Sequence, residues 1–488
     1  MRNHEAGSRD LRALANRILK AALRAVEAPR LVRGSIRRQE AELLIQGWTF
    51  DLDEYENIYL AAFGKAAPYM AAALQKILGK RLTAGIATYL PGRKMAVANI
   101  TCLPAAHPLP DERSVRAAEE ILSLARRAGR RDLLFVMISG GGSAQVCLPR
   151  KPLSLRDKAW VTDQLLRAGA DITELNIIRK HLSAIKGGRL AETAYPASVV
   201  NLVISDVVGN DLTSIASGPT HWDSSTFEDA RRVLDKYCLW ARAPLPVRSV
   251  ILAGISGRIP ETLRRGSRVF RKVSTFIIGD NRTALKAAAE KARSLGFHPI
   301  ILTSGDTGEA RDAARKYVAL ITESIRSSKI LRKPLCFLAG GELTVTVRGK
   351  GKGGRNSEFV LAALVEMMRR RPRWEPVKLV THTNFTEIGV CHQFRAEPNA
   401  SRGWDWLVAS VGTDGRDGPT EAAGAMATAA TINRAQALGL NPEAFLDRND
   451  SYNFFRRAGR LIITGPTETN VMDVRLILLR HGGKPHFR

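Results

Sequence analysis

Along the first half of this chain a short, almost unbroken apolar run ends in a turn bearing glycine or aspartate and then becomes helix, and the pattern recurs. NIYLAAFGKAAPYMAAALQKIL (57–78) is the clearest copy, and AGIATYLPG (84–92) reads as the next strand. DLLFVMISGGGSA (132–144) and SVVNLVISDVVGND (198–211) repeat the design without repeating the sequence. Strands that are apolar on both faces and alternate with helices predict an α/β fold with a mainly parallel sheet covered on both sides. In such sheets the ligand lies beyond the carboxyl ends of the strands, where these turns fall.

Residues 241–268 bring three prolines and few strand signals, so the domain boundary is predicted there. This gives an N-terminal domain over 11–245, opening on an amphipathic helix at 11–29, and a C-terminal α/β domain over 269–488. STFIIGDNRTALKAAAEKA (274–292), PIILTSGD (299–306), LCFLAGGELTVTVRG (335–349) and WLVASVGTDG (406–415) are assigned to the second domain. LTVTV alternates like a half-exposed strand, which predicts a smaller, mixed second sheet. Residues 371–405 read as an insertion loop or hairpin. No internal repeat or low-complexity segment is evident.

The 488 residues suit two or three domains. Lys and Arg number 74 against 47 Asp and Glu, giving a net charge of +27. That balance admits a nucleic-acid partner, an acidic surface or anionic metabolites. The basic residues are dispersed (Arg126, Arg127, Arg130, Arg131; Arg264, Arg265; Arg369 to Arg371) and read as solvated helix faces. Cys102, Cys147, Cys238, Cys336 and Cys391 are odd in number and lack CxxC spacing, which points to neither a disulfide framework nor a zinc site. No stretch approaches the roughly 20 apolar residues of a membrane span, and the polar N-terminus lacks a signal-peptide core. The expectation is a soluble cytoplasmic protein with no membrane partner; a homodimer is compatible with it.

Several turns could carry chemistry. SGGGSA (Ser139, Gly140, Gly141, Gly142, Ser143, Ala144) follows a buried strand and is expected to open a helix, where successive N–H groups would nest an anion. Such turns also serve plain strand-to-helix packing. Lys65, in AFGKAA, precedes a helix N-terminus, where its charge is unfavourable unless an anion neutralises it. GKGKGGRNSEF (349–359) places Gly353, Gly354, Arg355 and Asn356 just ahead of a helix, a setting for bidentate recognition of phosphate or carboxylate. A mobile hairpin tip is the alternative, with Asn356 as a helix cap. Asp206 and Asp211 follow one strand, and Asp414 and Asp417 another; carboxylates in such turns suit Mg²⁺ or ordinary turn formation equally. His107, beside a Pro/Asp turn, holds only a supporting place.

Taken in order, AFGKAA, AAHPLPD, ISGGGSA, NIIRKHLSAIKGGRLA (176–191), SDVVGNDLTSIASGPT, GGELTVTVRGKGKGGRN, SVGTDGRDGPTEAAGA and LIITGPTETNVMDVRLIL resemble the MOFRL-type glycerate kinases across roughly residues 11–478. The resemblance implies two α/β domains around a cleft, the first Rossmann-like. It implies ATP-dependent phosphorylation of D-glycerate to 2-phosphoglycerate. By motif match, Lys65 and Arg355 line the active site, the Ser139–Ser143 backbone cradles phosphate, and Asp206 sits in the SDV turn. Asp206 is the first choice for the proton acceptor, and Mg²⁺, carried by ATP, would meet Asp206 or Asp414. The segment 371–405 is longer than the family pattern leads one to expect.

Two other readings compete. Hydroxypyruvate reductase, an older association of the family, requires a dinucleotide fingerprint, and neither GxGxxG nor GxxxxGK[ST] occurs. A nucleic-acid-binding protein would need a basic stripe with stacking aromatics, yet aromatics make up 6% of the chain.

Overall fold

The computed structural model describes residues 2–92, 95–326, 334–370 and 404–481. The expected insertion at 371–405, with Arg371 and Cys391, lies outside the described residues except for Trp404 and Asp405. The four described cysteines are free. Two compact units emerge, one formed by Arg24–Thr283 with Thr467–Met472, the other by Met1–Leu23, Ala284–Pro466 and Asp473–Arg488.

The first unit is built on six parallel strands: β1 (Asn57–Phe63), β2 (Leu82–Tyr89), β3 (Ile100–Pro104), β4 (Asp132–Ile138), β5 (Ser198–Ile204) and β6 (Val273–Gly279). Their order across the sheet is β3-β2-β1-β4-β5-β6. All seven residues of β4 are buried, as its continuous apolar run requires of a strand covered on both faces. Among the covering helices, Glu112–Arg127 starts at a capping box on Asp111 and buries Ala117, Ala118, Ile121, Leu122 and Ala125, a stripe at helical spacing. Three short antiparallel strands (Ile36–Gln39, Glu42–Ile45, Trp48–Asp51) form a separate small sheet.

Two sequence expectations are corrected here. STFIIGD belongs to the first sheet, because β6 pairs in parallel with β5 from Val199↔Val273 to Ile204↔Gly279. A local apolar run fixes a strand but not the sheet that receives it. The boundary expected at 241–268 does not fall there: the stretch lies inside the unit Arg24–Thr283 and contains the helix Leu245–Ile255, whose Val247, Val250 and Ile251 pack with Phe227, Val161 and Ile178. Pro244 stands at the N-cap and Pro246 in the first turn, where a missing N–H breaks no helical bond, so these prolines start a helix. A Cβ on Gly254 would fall 2.1 Å from the Phe227 ring. Gly254→Ala is therefore expected to destabilise the unit by about 1–3 kcal/mol through overpacking, read as a lower urea midpoint with unchanged slope.

The second unit has six strands as well: β7 (His298–Asp306), β8 (Leu335–Gly341), β9 (Trp404–Gly412), β10 (Gly424–Thr428), β11 (Leu461–Ile462) and β12 (Asp473–His481), in the order β7-β8-β12-β9-β10-β11. Only β7 and β8 are parallel. The sheet is mixed as expected, but it equals the first in strand number because the C-terminal β12 inserts at its centre. LTVTV is not its source: after β8 this segment makes only an isolated bridge, Thr344 to Glu309. The helix Arg355–Arg370 is buried from Asn356 through Val365 and forms the core of this unit with Phe454 and Phe455.

Candidate functional site

In the first sheet the strand order reverses between β1 and β4, which is where open parallel sheets hold ligands. The turns following these two strands are stitched together. Ser139 N–H donates to Phe63 O (3.1 Å), and Lys65 N–H donates to Gly140 O (2.8 Å). Ala66 N–H donates to Ser139 Oγ (3.0 Å), while Gly64 N–H and Thr88 Oγ1 both donate to Gln145 Oε1 (2.8 and 2.6 Å). Gly64, at φ +114°, has no room for a side chain, since a Cβ would lie 2.3 Å from Ser139 O.

Candidate site side chains converge on Gly140 and Gly141. Asp206, just past β5, comes so close that a Cβ on Gly140 would lie 2.3 Å from its Oδ2. Asn470 Nδ2 donates to the same oxygen at 2.9 Å. A Cβ on Gly141 would lie 2.8 Å from His107 Cδ2 and 3.4 Å from Lys65 Cγ. The helix after Lys65, Ala67–Leu78, has no acidic residue in its first turn and no side-chain cap. A cation there favours an anion as neighbour. Gly142 and Ser143 open a helix of only four residues, Gly142–Gln145. The turn opens a helix as expected, but one too short for a macrodipole, so any anion site here rests on local backbone N–H groups. Asp211, level with Asp206 as a sequence candidate, is bound instead by Thr213 and Ser214 in its own turn.

In the second unit, Arg355 binds Asp473 bidentately (Nε to Oδ2 2.7 Å, Nη2 to Oδ1 3.0 Å) and meets Glu342 at 3.1 Å. Burial works against its charge, but Asp473, Glu342 and Asp417 outweigh that and hold the guanidinium protonated. Asp473 is fully buried and also accepts from Asn356 Nδ2 (3.0 Å). Asn356 in turn accepts from Ser410 Oγ (2.5 Å). Asp417 takes the N–H groups of Asn356 and Ser357 (2.8 and 2.9 Å), capping the helix Arg355–Arg370 from a distant turn. Burial raises its carboxyl, and the Ser357 bonds oppose that rise. A Cβ on Gly354 would strike Asp417 at 2.4 Å, and one on Gly353 would strike Ser451 Oγ at 2.2 Å. The GKGKGGRN loop is thus packed against the protein here rather than projecting as a hairpin tip.

Asp414, the other metal candidate, accepts from Arg416 N–H at 3.1 Å and belongs to the second unit, whereas Asp206 belongs to the first. Among the described residues no group of three or more His, Cys, Asp or Glu is placed to hold a metal. No described helix is long and apolar enough to cross a membrane. Residues that sequence reasoning passed over are Asn470, Asp473, Gln145 and Lys186. The first two lie in the quoted run LIITGPTETNVMDV, where a lone Asp before an apolar strand was the available signal.

Two family models match the chain: a domain of unknown function, DUF4147, over residues 14–252, and the MOFRL family over residues 335–473. A glycerate 2-kinase of Pyrococcus horikoshii is 35% identical over 96% of this chain and 98% of its own length. A solved glycerate kinase structure from Thermotoga maritima aligns at TM-score 0.79 with 34% identity, covering 97% of this chain and all of that one. An Agrobacterium vitis protein described as a putative hydroxypyruvate reductase is 36% identical over 85% of this chain and 97% of its own.

Proposed function

Because this chain belongs to the MOFRL-type glycerate kinase family, we propose that it transfers the γ-phosphoryl group of ATP to the 2-hydroxyl of D-glycerate, giving 2-phosphoglycerate. The observation that carries this reading is the convergence of Lys65 and Asp206 on Gly140 and Gly141, at the strand-order reversal. Phosphoryl transfer demands placement and charge neutralisation more than covalent participation. Backbone N–H groups of the glycine turn would hold phosphate oxygens, with Lys65 beside them. Arg355, kept charged, would meet phosphoryl or carboxylate oxygens. Asp206, oriented by Asn470, is assigned the proton of the reacting hydroxyl. A carboxylate in such a turn also suits Mg²⁺, which when bound by ATP oxygens and Asp206 or Asp414 would neutralise charge on the transferring group.

The reductase reading shares the strand order but lacks its consequence. A dinucleotide pyrophosphate rests on a glycine turn opening a long helix, and here the turn opens a single helical turn. Purified protein with Mg²⁺, ATP and D-glycerate is expected to form 2-phosphoglycerate, resolved from the 3-isomer by coupled assay. No phosphoglycerate, with NADH oxidised on hydroxypyruvate, would reverse the assignment.

A further inference from the structure

The motif NIIRKHLSAIKGGRLA has no role in the mechanism above, yet it contributes a lysine directly against the glycine turn. Lys186 is 2% exposed. Its Nζ lies 2.9 Å from Ser143 O, 2.9 Å from Ser143 Oγ and 3.2 Å from Ala216 O. Three oxygens for three ammonium protons is full satisfaction by geometry. All three acceptors are neutral oxygens. Burial, reinforced by repulsion from Lys158, drives its amine well below the ordinary lysine range.

The proton order beyond Lys186 follows from the acceptors. Ser217 Oγ donates to Asn176 Oδ1 at 3.0 Å, and Ser143 Oγ lies 3.0 Å from Ser217 Oγ. Ser217 has one hydroxyl proton, so Ser143 must donate to Ser217 while accepting from Lys186. The Ser143 hydroxyl is therefore directed inward, and any anion contact it makes runs through its backbone.

The turn at the other end of this chain is strained. Ala216 (φ +49°), Ser217 (φ +61°) and Gly218 (φ +60°) are consecutive left-handed residues, two of them with side chains. Left-handed non-glycine residues persist where surrounding bonds over-determine them, and such strain gathers at functional sites. Here Lys186 binds Ala216 O, Gly187 N–H donates to Ser217 O (3.2 Å), and Gly188 N–H donates to Gly218 O (2.8 Å).

We infer that Lys186 is a positioning residue for phosphoryl transfer: through Ser143 and Ala216 it locks the glycine turn, where phosphate oxygens would bind at Gly140–Ser143, onto the strained 216–218 turn. The inference rests on the kinase reading of that turn. The test measures binding of Mg²⁺ with the non-hydrolysable ATP analogue AMP-PNP by calorimetry, beside steady-state KM for ATP and D-glycerate. Lys186→Met is expected to weaken AMP-PNP about tenfold or more, leaving the D-glycerate KM within about twofold. Ser143→Ala, which removes one acceptor and the inward relay, is expected to weaken AMP-PNP about threefold. If Lys186→Met does not fold, Ser143→Ala decides alone. Folded variants that bind AMP-PNP like wild type overturn the inference, as does an equal loss for both substrates, which marks a purely structural lysine. Wild-type protein that neither binds AMP-PNP nor phosphorylates glycerate overturns the kinase reading itself, and this inference with it.

Discussion

Arg355→Lys is expected to lower kcat by roughly a thousandfold, the scale on which arginine clamps contribute to phosphoryl transfer. The charge survives this substitution; the planar fork does not. Arg355 uses Nε and Nη2 together on the two oxygens of Asp473, a carboxylate with no solvent exposure. A lysine can reach one of these oxygens at most, so its ammonium is drawn toward an unsatisfied buried anion and away from the substrate. Of the two carboxylates on Arg355, Glu342 is the half-exposed one, so it is the partner an incoming ligand would displace. Solvent screening at Glu342 makes this contact the weaker of the two, so an incoming phosphoryl oxygen would replace it more readily than Asp473. Asp473, fully buried, would be the fixed side of the arrangement and Glu342 the exchangeable one. The measurement is kcat against KM at saturating Mg²⁺ and ATP, with the thermal midpoint recorded in parallel. A kcat within about tenfold of wild type would remove Arg355 from the phosphoryl-transfer machinery.

The first sheet was legible because a strand buried on both faces must be written in apolar residues, and DLLFVMI is buried throughout. The turns were legible because only glycine-rich backbone tolerates such approaches. What escaped depends on partners far away in sequence. Asn470 reaches Asp206 across 264 positions, and Asp473 reaches Arg355 across 118. Asp414 and Asp417 stand in one turn with the same local chemistry, yet Asp417 is the buried cap of a helix that begins 62 residues earlier, at Arg355, and pattern alone assigns no such role. Pro244 and Pro246 read as breakers because proline both ends and begins helices, and only the burial of Val247, Val250 and Ile251 decides between the two. Lys186 was visible inside a quoted motif, but lysine has no hydropathy signal for burial; its environment is made by Ser143 and Ala216, brought to it by the fold.

Gly140→Ala is expected to abolish most activity while leaving the fold intact, a loss in kcat of about a hundredfold or more for a displacement of order 1 Å at the reacting groups. Gly140 is not among the left-handed glycines, so an alanine there meets no backbone penalty. Its Cβ would instead fall 2.3 Å from Asp206 Oδ2 and 2.9 Å from Asn470 Nδ2. Both are side-chain ends and can swing aside, which is why the unit survives. Swinging aside, however, breaks the 2.9 Å bond by which Asn470 aims the carboxylate. Any compensating shift of the turn itself would pull on Lys65, whose N–H is bound to Gly140 O at 2.8 Å. Asp206→Asn serves as the reference, because it removes the carboxylate proposed to take the proton without adding bulk. The two variants should show comparable kcat, with thermal midpoints within about 3 °C of wild type. If Gly140→Ala keeps wild-type kcat while Asp206→Asn loses it, Asp206 acts from a position that the glycine does not control. If Asp206→Asn is also fully active, the proton must leave the hydroxyl by another route.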